Sequence, residues 1–366
     1  MLSRARPSSG SDSELSMLID NAVDWAQKTC PVTPEHTFDR VRCLARWRSV
    51  VELGWPGVAM SEESGGSGMG FIALGAILSA LGQQLVALPL LSNALFAHAL
   101  TAAKPRGSAA GYLSQIVSGE RIGALAFGNA QRSQAASGVT AEATASGWRL
   151  SGQVRFVRDA QLADVLLISA AGSAPGLYVV EKERLTCQAL DMIDGRDYGH
   201  VTFDDAQLLE AARLEVHPTL TDSLRDLARI GLAAEMLGAS ERALSITVDY
   251  LKVREQFGRK IGTFQALQHR AAQMVVDIEL ARSCVDAALR AVDADASDVR
   301  PLAALAKFTA GAAMHRASLE IVQMHGGIGM TAEHVAGRYL KWARVSETLY
   351  GNRDTLANDY ALSKGF

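Results

Sequence analysis

The chain has 366 residues with 36 basic and 39 acidic side chains, a formal charge of −3, which leaves no cationic excess to hold a nucleic-acid backbone. A composition of 48% hydrophobic and 20% charged residues excludes intrinsic disorder over most of the length, and the length suits two or three domains. Every apolar stretch is broken by charge or glycine short of the roughly 18 residues of a membrane span, and the N-terminus shows no signal-peptide core. Cys30, Cys43, Cys187 and Cys284 form no CxxC pair, which argues against a zinc site or a disulfide framework and fits a reducing cytoplasm.

Residues 1–13 read as loose. Beyond them Leu15, Leu18, Ile19 and Val23, then Val41, Leu44, Trp47 and Val51, recur at threes and fours, so 1–118 is expected to be a helical domain. Gly54-Trp55-Pro56-Gly57 and the glycine-rich run from Glu62 to Gly70 interrupt it as a long shaped loop. At Gly119 the period becomes two: Ala141-Glu142-Ala143-Thr144-Ala145, Trp148-Arg149-Leu150 and Val154-Arg155-Phe156-Val157 alternate as half-buried strands do, and 119–218 is expected to be an antiparallel β-domain. The helical period then returns in 219–366. Leu267, Ala271, Met274, Ile278, Ala281, Val285 and Ala288 make a narrow seam suited to a four-helix bundle, with helices near 221–253, 263–292, 301–323 (starting at Pro301) and 331–361. The fold class is therefore α+β multidomain, helical then β then helical, and no doubly wound nucleotide fold is possible in the last part.

Two motifs carry chemistry. In Arg254-Glu255-Gln256-Phe257-Gly258-Arg259-Lys260-Ile261-Gly262-Thr263-Phe264-Gln265, an arginine at a helix end offers a fork for a pyrophosphate, Phe257 a flat apolar contact and Gln265 a donor and an acceptor. The plainer reading is a solvated turn between two helices. In Gln323-Met324-His325-Gly326-Gly327-Ile328-Gly329, one glycine is explained as a helix cap, and the others permit a close backbone approach to a ligand. The histidines show no HExxH spacing and there is no GxSxG, so metal and hydrolase readings fail.

These two motifs, with Gly54-Trp55-Pro56-Gly57, Glu62-Glu63 and Gly65-Gly66, resemble the acyl-CoA dehydrogenase family over nearly the whole chain. The resemblance implies a helical domain, a middle β-domain and a C-terminal four-helix bundle, and oxidation of the Cα–Cβ bond of a CoA thioester by FAD. It assigns Arg254, Phe257, Phe264, Gln265, Gln323, Gly326 and Gly327 to FAD held mainly by a neighbouring subunit. It also assigns Asp226 and Arg229 to the acyl-CoA substrate, although an i,i+3 ion pair explains them equally well.

The chain departs from the family where a catalytic base is needed. The two usual positions of that base hold Tyr350 and Ala228, so Glu347 is the first substitute, with Asp226 and Glu235 behind it. The strand ends that normally meet the flavin read Ala126-Phe127-Gly128 and Phe156-Val157-Arg158 and lack hydroxyl donors. This one-sided loss resembles the degenerate subunit of actinobacterial steroid side-chain acyl-CoA dehydrogenases. That resemblance implies a heterotetramer with a second, complete subunit and an electron-transfer acceptor protein. A self-sufficient homotetramer with a displaced base, and a non-catalytic acyl-CoA-binding subunit, stand as alternatives.

Overall fold

The computed structural model describes residues 10–34, 37–103, 108–127, 138–217 and 219–366. Among these residues the first part holds five helices, α1 (Gly10–Thr29), α2 (Arg40–Glu52), α3 (Gly70–Gln83), α4 (Leu90–Ala103) and α5 (Ser108–Val117). The first of them begins inside the stretch read as loose. The expected loop between α2 and α3 carries two short 3-10 turns, Trp55–Gly57 and Glu62–Ser64. Trp55 is buried, with Trp25 edge-on at 5.3 Å.

Eight strands follow among the described residues: β1 (Gly123–Ala126), β2 (Val139–Thr144), β3 (Gly147–Arg158), β4 (Val165–Gly172), β5 (Gly176–Glu181), β6 (Thr186–Leu190), β7 (Tyr198–Leu209) and β8 (Arg213–Leu214). They run in the order β6-β7-β3-β2-β4-β5-β8, with β1 beside β4. The expected antiparallel pairing holds except around β4, which pairs in parallel with β1 and with two residues of β2. The cause is the connection: the β2–β3 hairpin lies between β1 and β4 and returns the chain in its original direction, as a parallel pair requires. Side-chain alternation along β4 then serves two cores. Val165 and Leu167 pack with Phe96, Leu100 and Ile116 of α4 and α5, while Leu166 and Ile168 pack with Ala126, Tyr178 and Val180 inside the sheet layer.

The last part contains α6 (Leu220–Val253), a two-residue-stranded hairpin of β9 (Glu255–Gln256) and β10 (Arg259–Lys260), and then α7 (Gln265–Asp293), α8 (Val299–His325), α9 (Ala336–Ser346) and α10 (Arg353–Ser363). The α7 seam is buried from Met274 through Ala288 as its spacing requires, and Pro301 lies in the first turn of α8. The helix expected over 331–361 is two helices. Tyr350 (φ 58°) and Gly351 (φ 116°) turn the chain out of the helical region, and the Asn352 side chain accepts from Thr355 N to start α10. Helices α3 and α6 cross at backbone contact: a Cβ on Gly238 would lie 1.9 Å from the Ser79 carbonyl oxygen. The buried residues of α1–α4 and α6–α9 consequently form one continuous cluster, and the sheet packs on its flank.

Candidate cofactor and substrate site

Helix α6 ends because Arg254 is extended (ψ 128°), and the hairpin that follows turns at Phe257 and Gly258, both left-handed (φ 56° and 74°), as a primed two-residue turn requires. A phenylalanine is costly there, and Phe257 is 90% exposed, so it gains neither easy backbone nor burial within this chain. Its ring meets Phe264 edge-on at 6.1 Å, and the Arg259 guanidinium lies 4.1 Å over Phe264. Arg254 and Gln265 are exposed beside them.

The second motif closes α8. Gln323 is exposed, and Gly326 adopts φ 63°, ψ −137°, a region open only to glycine. A Cβ on Gly326 or Gly327 would meet nothing within 4 Å, so this backbone faces open space. The two motifs are tied together by rings: Tyr250, one turn before Arg254, stacks on His325 at 4.3 Å, and His325 meets His334 at 4.3 Å. Exposed Val253, Ile328 and Met330 add apolar surface at the same motifs.

Between the sheet and α6 lies a cavity of about 60 Å³. Phe127, Phe156, Ala228, Leu349 and Tyr350 wall it, with Arg155, Arg158 and Arg225 the charged members. Phe156 sits where β3 slips register against β7, between Val154 and Val157, and is itself left-handed (φ 55°). Ala228 has no proton acceptor. Burial pushes the Tyr350 phenol up to about 12, so it stays protonated at neutral pH. Gly128 lies outside the described residues.

The carboxylates considered as substitutes for a base are placed elsewhere. Glu347 does not line this cavity. It lies beyond Thr348 in a separate cavity of about 280 Å³, accepting from Arg344 at 3.2 Å and 2.9 Å from His315 Nδ1. The reason is the break before α10: Glu347 caps α9 upstream of the turn that carries Tyr350, and its side chain falls on the other side. Glu235 is buried and clamped, accepting from Arg158 at 2.8 Å and from Arg196 at 3.0 Å. These two guanidiniums hold its carboxyl below the usual range despite burial. Asp226 and Arg229 are likewise buried outside the cavity lining: Arg229 donates to Asp226 at 3.2 Å, to Asp359 at 2.7 Å and to the Tyr350 carbonyl at 2.8 Å. Burial raises Asp226 to about 6.

Residues 12–120 match the acyl-CoA dehydrogenase N-terminal domain and residues 222–363 the C-terminal domain. Acyl-CoA dehydrogenase FadE27 of Mycobacterium tuberculosis is 32% identical over 354 residues, covering 92% of each chain. The chain belongs to the acyl-CoA dehydrogenase family. Among solved structures, the ChsE4–ChsE5 complex from Mycobacterium tuberculosis superposes with a TM-score of 0.84 at 29% identity, over 98% of both chains. The Tcur3481–Tcur3483 steroid acyl-CoA dehydrogenase gives 0.84 at 30% identity, over 97% of this chain and 99% of that one.

Members of the acyl-CoA dehydrogenase family are FAD-dependent oxidoreductases acting on the CH–CH bond of an acyl-CoA, and this fold carries two unequal fits for FAD. The hook at 254–265 and the glycines at 326–327 leave an open, donor-bearing face that suits a dinucleotide. The cavity between sheet and bundle does not suit one: about 60 Å³ is far below the roughly 300 Å³ at which sites for ligands of that size begin. Sequence reasoning missed the Arg158–Glu235–Arg196 clamp and the Tyr250–His325–His334 stack. Arg158, Arg196 and Glu235 lie tens of residues apart, as does Tyr250 from the two histidines, and nothing in the local pattern joins them. Among the described residues no helix is long and apolar enough to cross a membrane, and no acid, histidine or cysteine cluster could hold a metal.

Proposed function

We propose that this chain is one subunit of a heteromeric FAD-dependent acyl-CoA dehydrogenase, completing the cofactor site of a related subunit while its own site takes no flavin. The observation that carries this reading is the contrast just described: an open, donor-bearing hook after the C-terminal end of α6, and, near the start of the same helix, a small cavity walled by Phe127, Phe156, Ala228 and Tyr350. When bound, FAD accepts the hydride that leaves the β-carbon of the thioester. This chain's part is to hold it. In this reading Arg254 takes the pyrophosphate, Phe257 and Phe264 give flat contact, Gln265 and Gln323 give hydrogen bonds, and the Gly326-Gly327 backbone allows close approach. The α-proton is taken by a carboxylate of the partner, because Tyr350 and Ala228 cannot take it. We assign Asp226 and Arg229 to fixing the Tyr350 turn rather than to substrate.

The likeness to a steroid acyl-CoA dehydrogenase and to a two-component complex supports a bulky, steroid-derived CoA thioester as substrate and a second acyl-CoA dehydrogenase subunit as partner. Electrons then pass to an acceptor flavoprotein, and the four free thiols fit a cytoplasmic setting. Co-expression with the partner is expected to yield a yellow complex holding one FAD per heterodimer, and Arg254→Ala is expected to lower that content. A flavin-loaded, active homotetramer of this chain alone would overturn the reading.

A further inference from the structure

A third cavity, polar and of about 100 Å³, lies where the start of α2, the α3–α4 connection, the loop before β7 and α9 meet. Three arginines line it, Arg42, Arg46 and Arg338. Arg42 is offset by Asp39, which lies 3.7 Å from its Nε and caps α2. Arg46 has no carboxylate within ion-pair distance among the described residues. Arg338 donates from Nη1 to the Thr33 carbonyl at 2.9 Å, but its Nε is buried without a partner. Behind it, buried Arg196 likewise keeps Nη2 unpartnered while Nη1 serves Glu235.

Among the described residues no carboxylate forms an ion pair with Arg46 or Arg338. Burial, then Arg196 and Arg46, drive the Arg338 guanidinium down to about 10, against Tyr339 and Asp194. Burial also pushes Asp194 up, toward its neutral form. The two thiols in the lining, Cys30 and Cys43, are raised as well, Cys43 to about 11, so they are neutral and supply no anion. Among the described residues the cavity wall therefore has two guanidiniums without an ion-pair partner and at least one unused N–H.

We propose that this cavity is an oxyanion site for a phosphoryl group, held by Arg46 and Arg338. A dianion matches the two unbalanced charges, and guanidinium forks match tetrahedral oxygens at hydrogen-bond distance. The cavity has room for the phosphoryl group itself and not for a nucleoside, which would have to extend into solvent. The site is separate from the hook and from the cavity between sheet and bundle, and it does not depend on the subunit arrangement proposed above.

The test uses the full chain, alone or in its complex, with inorganic phosphate and with adenosine 3′,5′-bisphosphate as probes. ³¹P line broadening and thermal shift are followed against sodium chloride at equal ionic strength. Saturable broadening with a saturating rise in Tm is expected for phosphate. Arg46→Gln, which removes a side chain with no partner to orphan among the described residues, is expected to weaken binding by about 10- to 100-fold, and Arg338→Lys to weaken it through loss of the planar fork. Competition by the bisphosphate would identify a nucleotide terminus as the source, and its failure to compete would identify the free ion. Phosphate behaving no differently from chloride, or unchanged phosphate binding by both variants, would overturn the proposal.

Discussion

Tyr250 stacks on His325 with ring centroids 4.3 Å apart and planes 28° from parallel, which locks the end of α6 to the end of α8. His325 Nδ1 lies 2.7 Å from the Ile321 carbonyl, so that nitrogen carries the proton, and burial keeps the ring neutral by lowering its pKa. The two motifs proposed to face FAD are thus held by one rigid contact. An aromatic pair contributes about 0.5–1.5 kcal/mol beyond the area it buries. Tyr250→Leu is accordingly expected to leave the chain folded and to speed flavin release from the assembled complex by about 2- to 10-fold, measured by fluorescence after dilution. An unchanged release rate would mean that the two motifs are positioned independently.

Gly326 and Gly327 separate a backbone requirement from a ligand requirement. Gly326→Ala forces a side chain into φ 63°, ψ −137°, and is expected to lower stability by about 1–3 kcal/mol. Gly327→Val adds bulk where no protein atom lies within 4 Å, so Tm should hold while flavin content falls. Denaturation and flavin absorbance on the same samples check both. Equal flavin content in Gly327→Val and the parent complex would remove that backbone from the cofactor site.

The helix–sheet–helix order and the α7 seam were legible because periodicity records which face is buried, and that is a local property. The two motifs proposed to hold FAD stood out for a related reason: each keeps its distinctive residues, Arg254 to Gln265 and Gln323 to Gly329, within a dozen positions. The split between α9 and α10 was harder to see, since Gly351-Asn352 is the only local signal and apolar spacing continues through it. The position of Glu347 was not legible at all. It depends on the left-handed turn at Tyr350, which is held from α6 by Arg229 across the fold. A charge cluster such as Arg158, Arg196 and Glu235 is set by tertiary packing and leaves no spacing to read.

Arg158 Nη2 and Arg196 Nη1 both donate to the Glu235 carboxylate, and all three side chains are at least 94% buried. Removing the carboxylate leaves two enclosed cations facing each other, so Glu235→Leu is expected to cost about 3–5 kcal/mol in urea unfolding. The neighbouring Asp159 accepts from Ser92 at 2.5 Å, and burial raises it to about 7, against roughly 3.9 in an unfolded chain. Between those values the folded state holds the extra proton. Its stabilising share is therefore full below about pH 4 and fades as pH rises toward about 7. Asp159→Asn is expected to flatten the stability profile across that window, and an unaltered slope would show that Asp159 is ionised throughout.

Lys307 is fully enclosed, and its Nζ donates to the Ser346 carbonyl at 2.9 Å, serving one of the carbonyls that the end of α9 leaves open. Burial drives the amine down to about 7; Glu347 opposes the shift and Arg229 adds to it. An unfolded lysine titrates near 10.4. Between about pH 7 and about pH 10 the unfolded chain therefore binds more protons than the folded one, and stability rises with pH through that interval. The neutral amine still donates, so the hydrogen bond persists across it. Lys307→Met removes both effects: the Ser346 carbonyl loses its partner, at about 1–3 kcal/mol, and the upward slope disappears. Urea unfolding of both proteins at several pH values across the interval tests this. The gap between them should widen as pH rises, whereas a constant gap would show that the enclosed amine keeps its proton.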